Sequence, residues 1–224
     1  MPLTVIQKRI TAVFLLLTVT DLAAIIGSYG SIHYLAKPLL IPALITLLLY
    51  TRLSVPGKTW LLAGLFFSWM GDVFLLFEKE YATFFIFGLA SFLITHVFYI
   101  IFFLRISSPE RSLFKKLPFL LLLVPVYGIA LVWFLYPKLG DLKLPVMVYA
   151  AMICTMLLCS LHVFNKINSP ANRWYVAGAL LFVSSDSLLA VDKFYQQFSF
   201  ANVLIMLSYC AAQFAIVRGY TVSK

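Results

Sequence analysis

The sequence contains few charged residues. Only 11% of its 224 residues are Asp, Glu, Lys or Arg, whereas soluble domains average about 25%. Hydrophobic residues make up 63% of the chain, and its mean hydropathy is +1.00. These values exclude an ordinary soluble domain and predict an integral membrane protein. We expect one transmembrane domain over residues 1–224, since the length leaves no room for a separate soluble domain.

Cysteine and histidine are also scarce. The three cysteines, Cys154, Cys159 and Cys210, lie within apolar runs and are interpreted as small buried hydrophobes. The chain has no Cys/His spacing typical of zinc and no HExxH motif, so no metal is expected. It also has no G-x-S-x-G elbow and no glycine-rich phosphate loop, which leaves a serine hydrolase unsupported.

Acidic residues are outnumbered by basic ones, 8 against 17, which gives a net charge of +9. The excess is not gathered into a run of five or six like charges, so it does not indicate nucleic-acid binding. Basic loops on the cytoplasmic side of a membrane are the favoured explanation, and no nucleic-acid partner is expected.

Eight apolar runs approach the length of about 20 residues that a membrane span needs. The N-terminal run resembles a signal peptide, but it contains Asp21 and lacks an A-x-A cleavage site, so we interpret it as an uncleaved first span. The predicted fold is an all-α bundle of eight spans: 10–28, 34–50, 59–77, 82–104, 117–136, 144–164, 174–191 and 200–220.

Basic residues are distributed unevenly between the two sides of the membrane in this topology. Twelve lie on the side of the termini and four in the opposite loops. The positive-inside rule therefore predicts that both termini are cytoplasmic. No targeting tail is present, so a bacterial inner membrane is the expected location.

Two stretches share a skeleton at a separation of 114 residues. Ala63-Gly64 and Ala177-Gly178 are each followed, after seven residues, by an aspartate inside an apolar run, Asp72 and Asp186. A carboxylate in the middle of a span costs roughly 2.5–3.5 kcal/mol, so the pair requires a reason. The match relates span 3 to span 7 and predicts two parallel repeats of four helices.

Both aspartates are predicted to lie roughly 8–10 Å below the outer surface, a depth that allows them to face each other. Asp21 in span 1 and Lys37 in span 2 fall near the same layer. Two interpretations stay open. These charges form a functional site, or Lys37 forms a structural ion pair with one aspartate.

Further polar residues lie within the spans. His96 and Tyr99 share a face of span 4, Tyr209 and Gln213 share a face of span 8, and Ser185 precedes Asp186. We expect the first four to lie roughly 10 Å deeper than the aspartates, where interhelical hydrogen bonds also explain them. His33 is expected in a loop at the interface.

A pair of carboxylates in a site of low dielectric constant can share one proton between them. One carboxyl then holds a proton near neutral pH while the other stays ionised, an arrangement that cleaves acetal-like C–O bonds. The pair therefore indicates a proton-handling site.

The chain also resembles the YhhN-like lysoplasmalogenase family of eight-span membrane proteins. The resemblance rests on short motifs in order along nearly the whole chain: Lys37-Pro38-Leu-Leu-Ile-Pro42, Gly71-Asp72-Val-Phe-Leu-Leu, Ser91-Phe-Leu-Ile-Thr-His96-Val-Phe-Tyr99, Gly178-Ala-Leu-Leu-Phe182, Ser185-Asp186-Ser187 and Tyr209 with Ala212-Gln213.

This resemblance implies a hydrolase that cleaves the vinyl-ether bond of lysoplasmalogens, with Asp72 and Asp186 as catalytic candidates. The implied partner is a lysophospholipid within the membrane, and the chemistry requires no cofactor. Two other functions stay open from the residues alone. A proton-coupled transporter uses intramembrane carboxylates in the same way, and a structural or lipid-sensing protein uses them only to hold helices together.

Overall fold

The structure is a computed structural model that describes residues 3–51, 56–106, 114, 117–163 and 169–223. These residues form eight α-helices long and apolar enough to cross a membrane, and the described ranges contain no strand. The prediction of an all-α, eight-span, multi-pass membrane protein is confirmed. The helices are α1 Val5–Ile26, α2 Gly30–Leu49, α3 Lys58–Leu76, α4 Ala82–Ile106, α5 Leu120–Leu135, α6 Lys143–Val163, α7 Ser169–Ala190 and α8 Ala201–Val222.

Three helices begin four or five residues before the predicted start, namely α1, α2 and α7. The first turns of α2 and α7 contain polar or small residues, and Gln7, Lys8 and Arg9 interrupt the apolar pattern at the start of α1, so apolar runs alone do not reveal these starts. Helix α1 shows the reason, because Thr4 caps it and Gln7 completes a capping box. His33 consequently lies within α2, and its prediction as a loop residue is wrong.

The helices of each half pack in the same order. Helices α1 to α4 each contact the next in sequence, as do α5 to α8, and the halves meet through the α4–α6, α2–α8 and α1–α8 contacts. A shift of 114 residues exchanges the first two of these contacts, which agrees with the predicted parallel repeat, whereas the α1–α8 contact lies outside that pattern. Tyr99 and Gln213, which that shift makes equivalent, form a hydrogen bond of 2.6 Å with each other. The assignment of both termini to the cytoplasm stays a prediction, and six of the twelve basic residues that support it lie outside the described residues: Arg52, Arg111, Lys115, Lys116, Lys166 and Lys224.

The two glycines of the shared skeleton lie at close helix contacts. A Cβ on Gly64 would overlap the ring of Tyr99 on α4. A Cβ on Gly178 would meet the side chain of Ile216 and backbone atoms of Ala212 and Ile216 on α8. Each glycine thus lets α3 or α7 approach its neighbour about two turns before the aspartate.

Replacing Gly178 by Ala is expected to destabilise the protein by about 1–3 kcal/mol, because a backbone contact cannot be relieved by a side-chain rotation. Thermal unfolding in detergent measures the effect as a lower Tm. Gly30→Ala is the control, since no atom lies within 4 Å of its added Cβ. Equal Tm values for the two variants would contradict this account of the α7–α8 contact.

Candidate active site

Asp72 and Asp186 line the same cavity, which has a volume of about 390 Å³. Helices α1, α2, α3, α4, α7 and α8 all contribute to its wall. Three other residues predicted for the site, Lys37, Ser185 and Tyr209, line it as well. Further polar residues that the sequence reasoning did not assign to the site also line it: Ser28, His33, Tyr34, Glu78, Lys79 and Asn202.

A chain of hydrogen bonds ends on Asp72. Tyr99 Oη donates to Gln213 Oε1, and Gln213 Nε2 donates to Ser68 Oγ, both at 2.6 Å. Ser68 Oγ lies 2.7 Å from Tyr209 Oη, which donates to Asp72 Oδ2 at 2.6 Å. The donors and acceptors match if Ser68 donates to Tyr209. Such a continuous buried network holds one carboxylate oxygen in a defined place.

Asp186 is held by a second group of donors. Tyr149 Oη donates to Asp186 Oδ2 at 2.5 Å, and His96 Nε2 lies 3.1 Å from the same oxygen. Within the described part of the chain, His96 Nδ1 is buried without a hydrogen-bond partner. We therefore assign the proton to Nε2, where it can donate to Asp186. Tyr149 and His96 come from α6 and α4, so three helices position this carboxylate.

The predicted depth of His96 and Tyr209, about 10 Å below the aspartates, is wrong because each contacts an aspartate directly. The Cα–Cβ bonds of a helix tilt toward its N-terminus, and long side chains follow them. Helices α4 and α8 run opposite to α3 and α7, so their side chains extend toward the aspartate layer. Tyr99 and Gln213 lie farther away and reach Asp72 only through Ser68 and Tyr209.

Lys37 is buried at the cavity wall, with 8% of its surface exposed. Among the described residues, its ammonium group has no hydrogen-bond or ion-pair partner, so the structural ion pair with an aspartate, one of the two interpretations left open, is not formed. Lys37 nevertheless lines the same cavity as Asp72. Asp21 does not line the cavity and pairs instead with His33 Nδ1 at 2.8 Å.

A pair of prolines fixes α2 against α3 next to Lys37. Within a helix, the carbonyl of Pro38 would accept a hydrogen bond from the N–H of residue 42, but Pro42 has none. Trp69 Nε1 on α3 donates to that carbonyl at 2.9 Å. The Lys-Pro-x3-Pro motif therefore leaves the Pro38 carbonyl without its usual donor within α2. In the membrane interior, where water is absent, the neighbouring helix α3 supplies the donor.

Several site residues were missed at the sequence level, and two of these features had a signal in the sequence. Glu78 and Lys79 are repeated 114 residues later as Asp192 and Lys193, so the repeat extends beyond the aspartates. Glu78 Oε2 and Lys193 Nζ form a salt bridge of 3.0 Å between the halves at the cavity rim. Tyr149 carried a weaker signal, namely a tyrosine inside a span and away from the interfacial aromatic belts.

Eight spanning helices, six of which line a cavity that contains Asp72 and Asp186, define an integral membrane protein with a polar site among its membrane spans. The described residues contain no group of three His, Cys, Asp or Glu side chains placed to hold one metal ion.

The sequence profile of the YhhN family matches residues 32–220, and the chain belongs to this family. The predicted family membership is confirmed.

The curated relatives of the chain include the "Lysoplasmalogenase" of Mycobacterium tuberculosis, 32% identical over 216 residues, which cover 91% of this chain and 77% of the relative. "Lysoplasmalogenase TMEM86A" of Bos taurus is 34% identical over 177 residues, or 77% and 69% of the two chains. "Lysoplasmalogenase TMEM86B" of Mus musculus is 32% identical over 178 residues, or 78% and 70%. No solved structure matches the chain.

Proposed function

We propose that the protein is a lysoplasmalogenase, a hydrolase that converts a lysoplasmalogen to a fatty aldehyde and glycerophosphoethanolamine or glycerophosphocholine. The names of its relatives support this activity. The observation that carries the mechanism is the placement of Asp72 and Asp186 in one cavity. The proposed location is a bacterial inner membrane, which membrane fractionation of the source cells tests.

The proposed reaction begins with proton transfer from one aspartic acid to the vinyl carbon that is not bonded to the ether oxygen. The resulting oxocarbenium ion is stabilised by the other aspartate as a carboxylate, which also accepts a proton from the attacking water. The hemiacetal that forms then collapses to aldehyde and the glycerol hydroxyl. The net reaction consumes one water and needs no redox partner.

The hydrogen bonds favour different roles for the two carboxyl groups. Tyr149 and His96 both donate to one oxygen of Asp186, an arrangement that suits a carboxylate. Asp72 receives one donor, from Tyr209. We therefore assign proton delivery to Asp72, and cation stabilisation and water activation to Asp186. His96, Tyr149 and Tyr209 are positioning residues in this scheme.

Lys37 is the proposed binding residue for the substrate phosphate. Its ammonium group is unpaired among the described residues and lies at the same cavity as both aspartates. A phosphate would supply the anion that this buried cation lacks, and charge-assisted hydrogen bonds of this kind are strong.

Aldehyde release by the purified protein in detergent tests the proposal. We expect steady production of aldehyde from lysoplasmalogen and none from a lysophospholipid with an ester-linked chain. A transporter predicts no product in detergent and movement of a solute across sealed vesicles. Absence of aldehyde from well-folded protein would overturn the assigned activity.

A further inference from the structure

An apolar groove of about 580 Å³ runs between α5 and α6 on the outer surface of the bundle. Trp133 and Met147, two of its lining residues, are 79% and 47% exposed. The groove therefore opens toward the surrounding lipid. Its lining side chains carry few polar groups, namely the Thr155 and Tyr136 hydroxyls, the Trp133 indole N–H and the Cys154 thiol. The lining residues are Pro125, Gly128, Ile129, Val132, Trp133, Tyr136, Met147, Ala150, Ala151, Cys154, Thr155 and Leu158.

Small side chains create this groove. Gly128 on α5 faces Cys154 on α6, and a Cβ at Gly128 would overlap the Cys154 sulfur. Ala150 and Ala151 lie about one turn away on α6. Because Gly128 is small, α5 and α6 approach each other closely at the Gly128–Cys154 contact. The small side chains of Ala150 and Ala151 leave open volume beside this contact, and larger residues border it.

The groove adjoins the candidate active site. A cavity of about 40 Å³ shares Gly128, Val132, Ala150 and Cys154 with the groove, and it is also lined by Asp186. Asp186 in turn lines the large polar cavity. The reactive carboxylate thus lies between a polar compartment on one side and an apolar compartment on the other.

We propose that the α5–α6 groove binds the hydrocarbon chain of the lysolipid and releases the fatty aldehyde into the bilayer. This inference rests on the proposed function. The headgroup occupies the polar cavity near Lys37, the vinyl ether lies at Asp186, and the chain passes between Val132 and Ala150, one turn from the close Gly128–Cys154 contact, into the groove. The groove spans roughly 16 Å between Pro125 and Tyr136, and from the passage at Val132 it offers the chain roughly 10 Å toward Pro125.

The division of polarity supports this occupant. A lysolipid has one charged end and one purely apolar end, joined at the bond to be cleaved. Burial of each CH₂ group contributes about 0.8 kcal/mol, so an apolar subsite adds binding energy with every carbon. The exposed side of the groove allows the substrate to enter from the bilayer and the aldehyde to leave without crossing the polar cavity.

Replacing Ala150 by Phe tests the passage between the two compartments. We expect kcat/KM for a long-chain lysoplasmalogen to fall by about 10–200-fold, because a side chain filling a chain subsite excludes methylene groups. A short-chain analogue that ends before the groove should lose less than about twofold, since it does not need the passage. Val148→Phe is the matched control, because Val148 is a lipid-exposed neighbour on the same helix that lines no described cavity.

Equal losses for both chain lengths, or an unchanged chain-length profile in an active variant, would overturn the chain subsite. A change in oligomeric state without a change in chain preference would also overturn it, because small residues can pack against a second copy instead. These outcomes differ from failure of the proposed function, in which the unsubstituted protein itself releases no aldehyde.

Photochemical labelling of the unsubstituted protein provides a second test that does not depend on a folded variant. The probe is a lysophospholipid with a diazirine at the end of its chain. Labelling of peptides within Leu120–Leu135 and Lys143–Val163, competed by lysoplasmalogen, is the expected result. Labelling confined to other helices would overturn the proposal.

Discussion

Asp72→Asn and Asp186→Asn are each expected to lower kcat for lysoplasmalogen cleavage by about 10²–10⁴-fold, the usual contribution of a general acid or base. Asparagine keeps the shape of the side chain and can accept the hydrogen bond from Tyr209 or Tyr149. It can neither deliver a proton to the vinyl ether nor carry the negative charge that stabilises the oxocarbenium ion. Aldehyde release at saturating substrate measures this effect.

Asp141→Asn is the matched control for both aspartate variants. Asp141 lies in a short 3-10 segment, Gly140–Leu142, and is exposed. We expect its turnover to equal that of the unsubstituted protein. Near-normal turnover in either Asp72→Asn or Asp186→Asn would contradict a mechanism that uses both carboxyl groups, and loss in only one would indicate catalysis by a single acid.

Lys37→Met is expected to raise KM for lysoplasmalogen by about 10–150-fold, because a hydrogen bond to a charged group contributes about 1.5–3 kcal/mol. Methionine retains the length and apolar character of the lysine stem, so packing against α3 should persist. The proposed interaction is with the substrate phosphate, so the effect should appear mainly in KM and less in kcat.

A second substrate distinguishes phosphate binding from an effect of Lys37 on Asp72. An alkenyl glycerol carries the same vinyl ether but lacks the phosphate and headgroup. Its cleavage should be nearly unchanged in Lys37→Met, and Lys138→Met, at an exposed lysine, serves as the charge control. Equal losses with both substrates would show that Lys37 acts on Asp72 and would refute its role as phosphate ligand.

The sequence was sufficient for the number and type of the helices. A run of about 20 apolar residues must satisfy its own backbone hydrogen bonds in a membrane, so the eight apolar runs predict eight helices. The same physics identified Asp72 and Asp186, since two carboxylates in such runs stand out against their surroundings.

The partners of those aspartates could not be predicted with the same certainty. Helices that are apolar on nearly every face carry little periodicity, so the sequence does not reveal which side of α6 faces the bundle. Tyr149 was missed for this reason. His96 and Tyr209 were found but placed too deep, because a depth count by residue number ignores the direction in which long side chains extend.

The sequence by itself determined a pair of aspartates within membrane spans, at matching positions of two stretches that share a skeleton. Tertiary structure decided the rest: which tyrosine holds each carboxylate, why Lys37 stays unpaired among the described residues, and where an apolar groove meets Asp186. The physical reason is that spans and buried charges follow from local transfer energies, whereas hydrogen-bond partners and cavities depend on the rotation and approach of helices distant in sequence.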